Sequence, residues 1–218
     1  MRARPPCPRM LMLLAIGLLA AASSPAGEVI DRMVARIEND VILLSDIRLL
    51  ANYQLLVDGK SETDADILDR LIDQWIVRNE ANIAHTPQPS DADIDRAIAR
   101  LEQGFSSAQD YQARRKLAGL SEADVRRITA AELFMNNYLD ARFRPTVQVD
   151  EKAIEDFYTN SLLPRAQARG TTPPTLEAAH DYIYEALVQI GINQQADRWL
   201  QESHQRLRVT KMLEESRP

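Results

Sequence analysis

The chain is nearly free of cysteine. Its one thiol, Cys7, sits among Arg2, Arg4 and Arg9, ahead of the first apolar run. A lipid-carrying cysteine follows such a run, so Cys7 is not placed as one. Beyond residue 26 there is no cysteine, which excludes disulfides, thiolate catalysis and cysteine metal ligation in that part. Glycine is scarce, 7 in 218 residues, and histidine scarcer, with 3. His85, His180 and His204 have no second histidine at metal-binding spacing, and the last two lie more than six helical turns apart. No Gly-x-Ser-x-Gly elbow, glycine-rich phosphate loop or His-Glu-x-x-His occurs. No residue is therefore assigned as catalytic, cofactor-binding or metal-ligating. No apolar run reaches the roughly 20 residues of a spanning helix. Stable membrane insertion is not expected.

The first segment reads as a leader. Arg2, Arg4 and Arg9 form a positive region, Leu11 to Ala22 is an apolar run of about a dozen residues, and small residues follow. Ala20-Ala21-Ala22 and Ser24-Pro25-Ala26 both suit cleavage. Residues 1–26 are expected to be a signal peptide, so the mature part is secreted. Losing them removes three arginines and no acid, and the net charge moves from −6 to −9, with 23 cations against 32 acids. Such a balance disfavours nucleic acid and anionic membrane as partners. The dense cationic spots Arg114-Arg115-Lys116 and Arg126-Arg127 read as solvated helix faces.

Residues 32–38 alternate apolar and charged side chains through Met33, Ala35 and Ile37. Val41-Ile42-Leu43-Leu44 is a second short apolar run. Together they predict a small hairpin around Asn39. Ser45 then reads as an N-cap, opening a helix that stops at Gly59. Gly104-Phe105-Ser106 and Gly119-Leu120-Ser121 repeat one punctuation: a left-handed glycine, an apolar fold-back and a new serine cap. Helices are expected over about 63–84, from a Ser90 cap, over 108–118, 122–143 and 150–160. Acid pairs such as Asp64/Asp66 and Asp91/Asp93 complement their N-termini. Residues 161–174, with three prolines, read as a loop. Thr175 opens a long last helix whose apolar phase shifts at Gly191, where a bend is expected. Residues 207–212 alternate again and suit a strand pairing with the hairpin. The fold class is mainly α: a helical array with a small N-terminal β-hairpin, completed by a C-terminal strand, the long C-terminal helix packing on the N-terminal region.

Trp75 and Trp199 lie on apolar stripes, with Met135 and Tyr138 on the fifth helix. Core packing is the default for each. The four are the candidate peptide-groove residues.

The run from Val34 to Ile47, VARIENDVILLSDI, resembles the opening of SurA-type periplasmic chaperones: strand, Asn-containing turn, apolar run, Ser-Asp and a helix. Leu68 to Val77 is similar to that family's second helix, Val149 to Tyr158 to the element leading into a parvulin domain, and Leu176 to Met212 to its C-terminal helix and strand. The segments fall in the family's order. A parvulin prolyl isomerase domain belongs between Tyr158 and Thr175, where this chain has 14 residues, Ser161 to Pro174, against the roughly 100 an independent domain takes. The resemblance implies a SurA-like region over 27–160, completed by 175–218, without the isomerase. It implies a periplasmic, ATP-independent holding function for unfolded or extended polypeptides, outer-membrane proteins above all. Two alternatives stand beside it: residual prolyl isomerase activity, and a dedicated assembly subunit that self-associates, for instance as a homodimer exchanging its long helix.

Overall fold

The computed structural model describes residues 31–213. The expected signal peptide lies outside the described residues. Strands β1 (Met33–Ile37) and β2 (Asp40–Leu43) form the antiparallel hairpin, with Ile37 opposite Asp40 and Arg36 opposite Val41. At its tip Glu38, rather than Asn39, takes the left-handed backbone, with φ 51. The C-terminal segment clamps that turn. The Glu38 amide donates to the Arg208 carbonyl at 3.1 Å, and the Arg208 amide donates back to Glu38 Oε1 at 2.9 Å. Strand β3 (Val209–Lys211) then pairs antiparallel with β1, giving the order β2-β1-β3. The two distant ends of the described chain thus share one sheet, as the alternation predicts.

Helix α1 (Leu44–Asp58) follows β2 without a gap, so Ser45 is not its cap. Leu43 occupies that position and has no side-chain acceptor. Asp46 reaches back to accept the Leu43 amide at 2.9 Å, and Asp31, 14 residues upstream, accepts the Ser45 amide at 3.2 Å. Hydrogen bonds from Ser45 hold the Asp31 carboxyl below its usual range. α1 ends at Gly59 with φ 71, the left-handed stop the sequence predicts. Helix α2 (Asp64–Ile83) starts at a Thr63 cap and α3 (Asp91–Gln103) at a Ser90–Asp93 capping box. Gly104 departs from the expectation: it stays right-handed, with φ −73, and Ser107, not Ser106, caps α4 (Ala108–Leu117). Helix α5 (Glu122–Phe143) begins at Ser121, with Asp124 closing the box.

A single 3-10 turn at Arg144–Thr146 leads to α6 (Glu151–Phe157). The stretch expected as a loop is largely helical. A π-helical turn over Tyr158–Leu162 continues into α7 (Leu163–Ala168), with Pro164 in the first turn, where its missing amide leaves nothing unpaired. Helix α8 (Leu176–His204) starts at a Thr175 cap and runs without interruption through Gly191.

The core sits where the sheet meets α1 and α2. Val34, Ile37, Ile47, Ile67, Leu68 and Ile72 are all at most 1% exposed. Further clusters join α5 to α2 through Phe134 and Ala81, and α8 to α5 through Ile192 and Phe143. Trp199 of α8 packs against three of these clusters, so the long helix locks the others together. Polar ties reinforce it: Arg144 forks onto Glu185 at 3.0 and 2.7 Å, and His204 Nε2 meets Asp73 Oδ1 at 2.6 Å. Lys211 of β3 also pairs with Asp69 of α2.

Candidate functional site

Helical spacing builds one cleft beside the main core. On α2, Leu71, Gln74, Trp75 and Arg78 recur at i, i+3, i+4 and i+7, flanking the buried stripe of Ile67, Leu68, Ile72 and Ile76. On α5, Arg127, Ile128, Ala131, Glu132 and Met135 present a matching face. Asp46, Leu49 and Leu50 of α1 close one side, and Val41 and Ile42 of β2 the other. The cleft is open to solvent and has a volume of about 200 Å³. Trp75 is fixed by its own polar edge, since Nε1 donates to Asp40 Oδ2 at 2.8 Å. Its ring is left as an apolar wall.

The structure divides the four candidate groove residues. Trp75 and Met135 line this cleft. Tyr138 is 4% exposed and packs against Trp199, ring centroids 6.2 Å apart. Arg142 covers that pair, its guanidinium 4.9 Å from the Trp199 ring, and donates to the Tyr138 hydroxyl at 2.6 Å. Tyr138 and Trp199 therefore serve the packing of α8 on α5; Tyr138 also borders a depression at the end of α2, and Trp199 shares another, of about 290 Å³, with Trp75.

Glu132 is the residue that pattern reading passes over. It stands on the apolar face of α5, and that position is the available signal: an acid one turn from Ile128 and Met135. The Tyr53 hydroxyl donates to Glu132 Oε2 at 3.3 Å. Burial pushes the Glu132 carboxyl above the ordinary glutamate range, and the bond from Tyr53 only partly offsets it. Burial, followed by the Glu132 charge, pushes the Tyr53 phenol up as well. Glu132 also borders a second, polar depression of about 570 Å³ lined by Tyr53, Lys60, Glu62 and Arg70.

The cationic spots are not all solvated. Arg115 is buried, donating to the Leu120 carbonyl at 2.8 Å, to Gln112 Oε1 at 2.7 Å and to Glu122 Oε1 at 3.1 Å. Arg126 forks onto Asp95 and Asp91 at 2.5 and 2.6 Å. Among the described residues, no group of three His, Cys, Asp or Glu is placed to hold a metal, and no helix is long and apolar enough to cross a membrane. The cleft offers apolar walls, cationic rims and one desolvated carboxyl, which is an arrangement for binding.

No family model matches the chain. It is similar to proteins described as chaperone SurA. With that of Pseudomonas putida it is 28% identical over 163 residues, covering 69% of this chain and 37% of that protein. With that of Pseudomonas fluorescens it is 27% identical over 156 residues, covering 66% and 36%. With that of Pseudomonas aeruginosa it is 26% identical over 142 residues, covering 61% and 34%. The chain thus spans about a third of the length of the curated relatives it matches. It is SurA-like over that part, and no parvulin domain lies between α6 and α8, where 18 residues from Tyr158 to Thr175 make the whole connection.

Proposed function

We propose that the chain is an ATP-independent holding chaperone of the periplasm, which keeps unfolded outer-membrane polypeptides from aggregating. The observation that carries this reading is the similarity to chaperone SurA in three Pseudomonas species. The open cleft between β2, α1, α2 and α5 supports it, because it offers apolar walls without closing over them. Client segments leave water there at about 25 cal/mol per Å² of apolar surface, and ordering the client offsets much of that. Micromolar affinity, about −8 kcal/mol, results and permits release. The acidic balance after the leader keeps a protein with accessible apolar surface in solution.

Binding to folded and unfolded forms of one client tests the reading. An outer-membrane β-barrel protein diluted from urea is expected to bind with micromolar affinity, and the same protein folded in detergent is not. Equal affinity for both forms would overturn it. In parallel, proline-peptide isomerisation is expected to stay at the uncatalysed rate.

A further inference from the structure

Helix α8 ends without a stop signal. Helix α1 closes on a left-handed glycine, Gly59, whereas α8 passes into Gln205, which keeps right-handed helical backbone at φ −67 and ψ −20. The Arg206 and Leu207 amides then donate to the Ser203 and His204 carbonyls, three residues back, at 3.0 and 3.4 Å. The chain thus leaves the helix by tightening its last turn. The reversal into β3 is made by Gln205-Arg206-Leu207-Arg208, with no glycine, no proline and no positive φ. Glutamine, arginine and leucine are all strong helix formers. The Glu202 carbonyl, which a continuing helix would offer to the Arg206 amide, instead accepts from Arg206 Nε at 3.3 Å. Leu207 also follows Leu200 by seven residues and Ala196 by eleven, which is one helical face. Local preference favours helix through a segment that tertiary pairing bends.

Little holds that bend. Strand β3 is three residues long, and Thr210 and Lys211 on it are exposed. Its side-chain ties are surface pairs, Lys211 with Asp69 and the neighbouring Arg208 with Glu38. The edge that β3 covers is costly to uncover. Ala35 and Ile37 of β1 are 0% exposed, the Val34 carbonyl accepts from the Met212 amide, and the Glu38 amide donates to the Arg208 carbonyl. Releasing β3 orphans these groups, so β1 requires a replacement strand. The strand already matched to that edge is β3 itself. Val209 stands opposite Ile37, Thr210 opposite Arg36 and Lys211 opposite Ala35, while Val209 and Leu213 pack on the core. A second copy of the chain supplies such a strand with all of these contacts intact.

We propose that two copies of this chain exchange strand β3: α8 continues as helix through Gln205–Arg208, and the β3 it carries pairs with β1 of the other copy. The exchange goes beyond the holding function and does not depend on it.

The test uses the full chain carrying Cys7→Ser, Arg36→Cys and Thr210→Cys. The two new thiols face each other across β1 and β3 at exposed positions, so the core is untouched. The chain is refolded from urea at rising concentration and separated by size, and each fraction is treated with a short bis-maleimide. A dimer fraction that grows with concentration is expected, and on a denaturing gel its chains are expected to be joined to each other. A dimer fraction whose chains are joined only within themselves overturns the proposal. So does a chain that stays monomeric up to about 1 mM. The hinge supplies a second readout. Gln205→Gly with Arg206→Gly lowers helix preference at both hinges and is expected to weaken the dimer by at least about a hundredfold. Gln205→Ala with Arg206→Ala removes the same side chains, keeps that preference, and is expected to leave the dimer within about tenfold. Equal dimerisation of the glycine and alanine pairs overturns the proposal.

Discussion

Arg115 is a charged side chain inside the helical array, and the groups around it set what its loss costs. Arg115→Met keeps the stem but leaves the buried Leu120 carbonyl without its 2.8 Å donor. The expected cost is about 1–3 kcal/mol, the penalty for an unsatisfied buried acceptor. Urea unfolding with an unchanged slope measures it, and an unchanged midpoint would show the guanidinium is dispensable. Glu132 behaves in the opposite sense. Burial raises its folded-state pKa, so its neutral form suits the fold at acid pH, and that advantage is lost as pH rises through the raised value. Glu132→Gln is therefore expected to melt above the unaltered chain at pH 7, with the difference shrinking toward zero near pH 4. A difference constant across that range would contradict the burial account. Glu132 shows in the sequence only as an acid on an apolar helix face, and Arg115 does not show at all. Arg115 sits in a run of three cations that reads as a solvated face, and only the fold shows Leu120 turning back beneath it.

At the scale of elements, period and punctuation carry most of the information. Ser90, Ser121 and Thr175 cap helices as their sequence neighbourhoods predict, because each capping bond closes within three residues. Ser45 departs for the converse reason: its amide is satisfied by Asp31, 14 residues away, and nothing local announces that. The Tyr158–Ala168 stretch hides its helical turns because a proline in a first helical turn looks like one in a loop. Gly191 carries a different lesson. The apolar phase shifts there, yet α8 continues, and the missing side chain makes room for a neighbour. A Cβ at Gly191 would stand 2.6 Å from Val147 Cγ1. Gly191→Ala is thus expected to destabilise by about 1 kcal/mol net, overpacking outweighing the helix-propensity gain. In a Val147→Ala background the same change is expected to stabilise. A double-mutant cycle by denaturant melts checks the coupling, and equal effects in both backgrounds would rule out the close approach as its cause.

For the whole molecule, closure is the governing feature. β1 takes both β2 and β3 as partners, and Trp199 binds three clusters together. A chain ending before Thr175 loses α8 and β3, and exposes the faces of α5 and α6 that they cover. Such a truncation is expected to aggregate or to lose its cooperative melt, read by circular dichroism and light scattering. A soluble, cooperatively melting fragment would show that the N-terminal helices stand alone. This closure is legible from the alternation at 207–212, which suits a strand. The cleft is half legible. Trp75 and Met135 line it, whereas Tyr138 is buried and Trp199, half-buried, shares a different depression with Trp75, since helical spacing tells which face a residue is on and not which neighbour covers it.

The most direct test of the holding function is light scattering of an outer-membrane β-barrel protein diluted from urea, without nucleotide, at increasing ratios of this chain. Suppression is expected to grow with the ratio and to complete near stoichiometry. Scattering curves that coincide with and without the chain would contradict it.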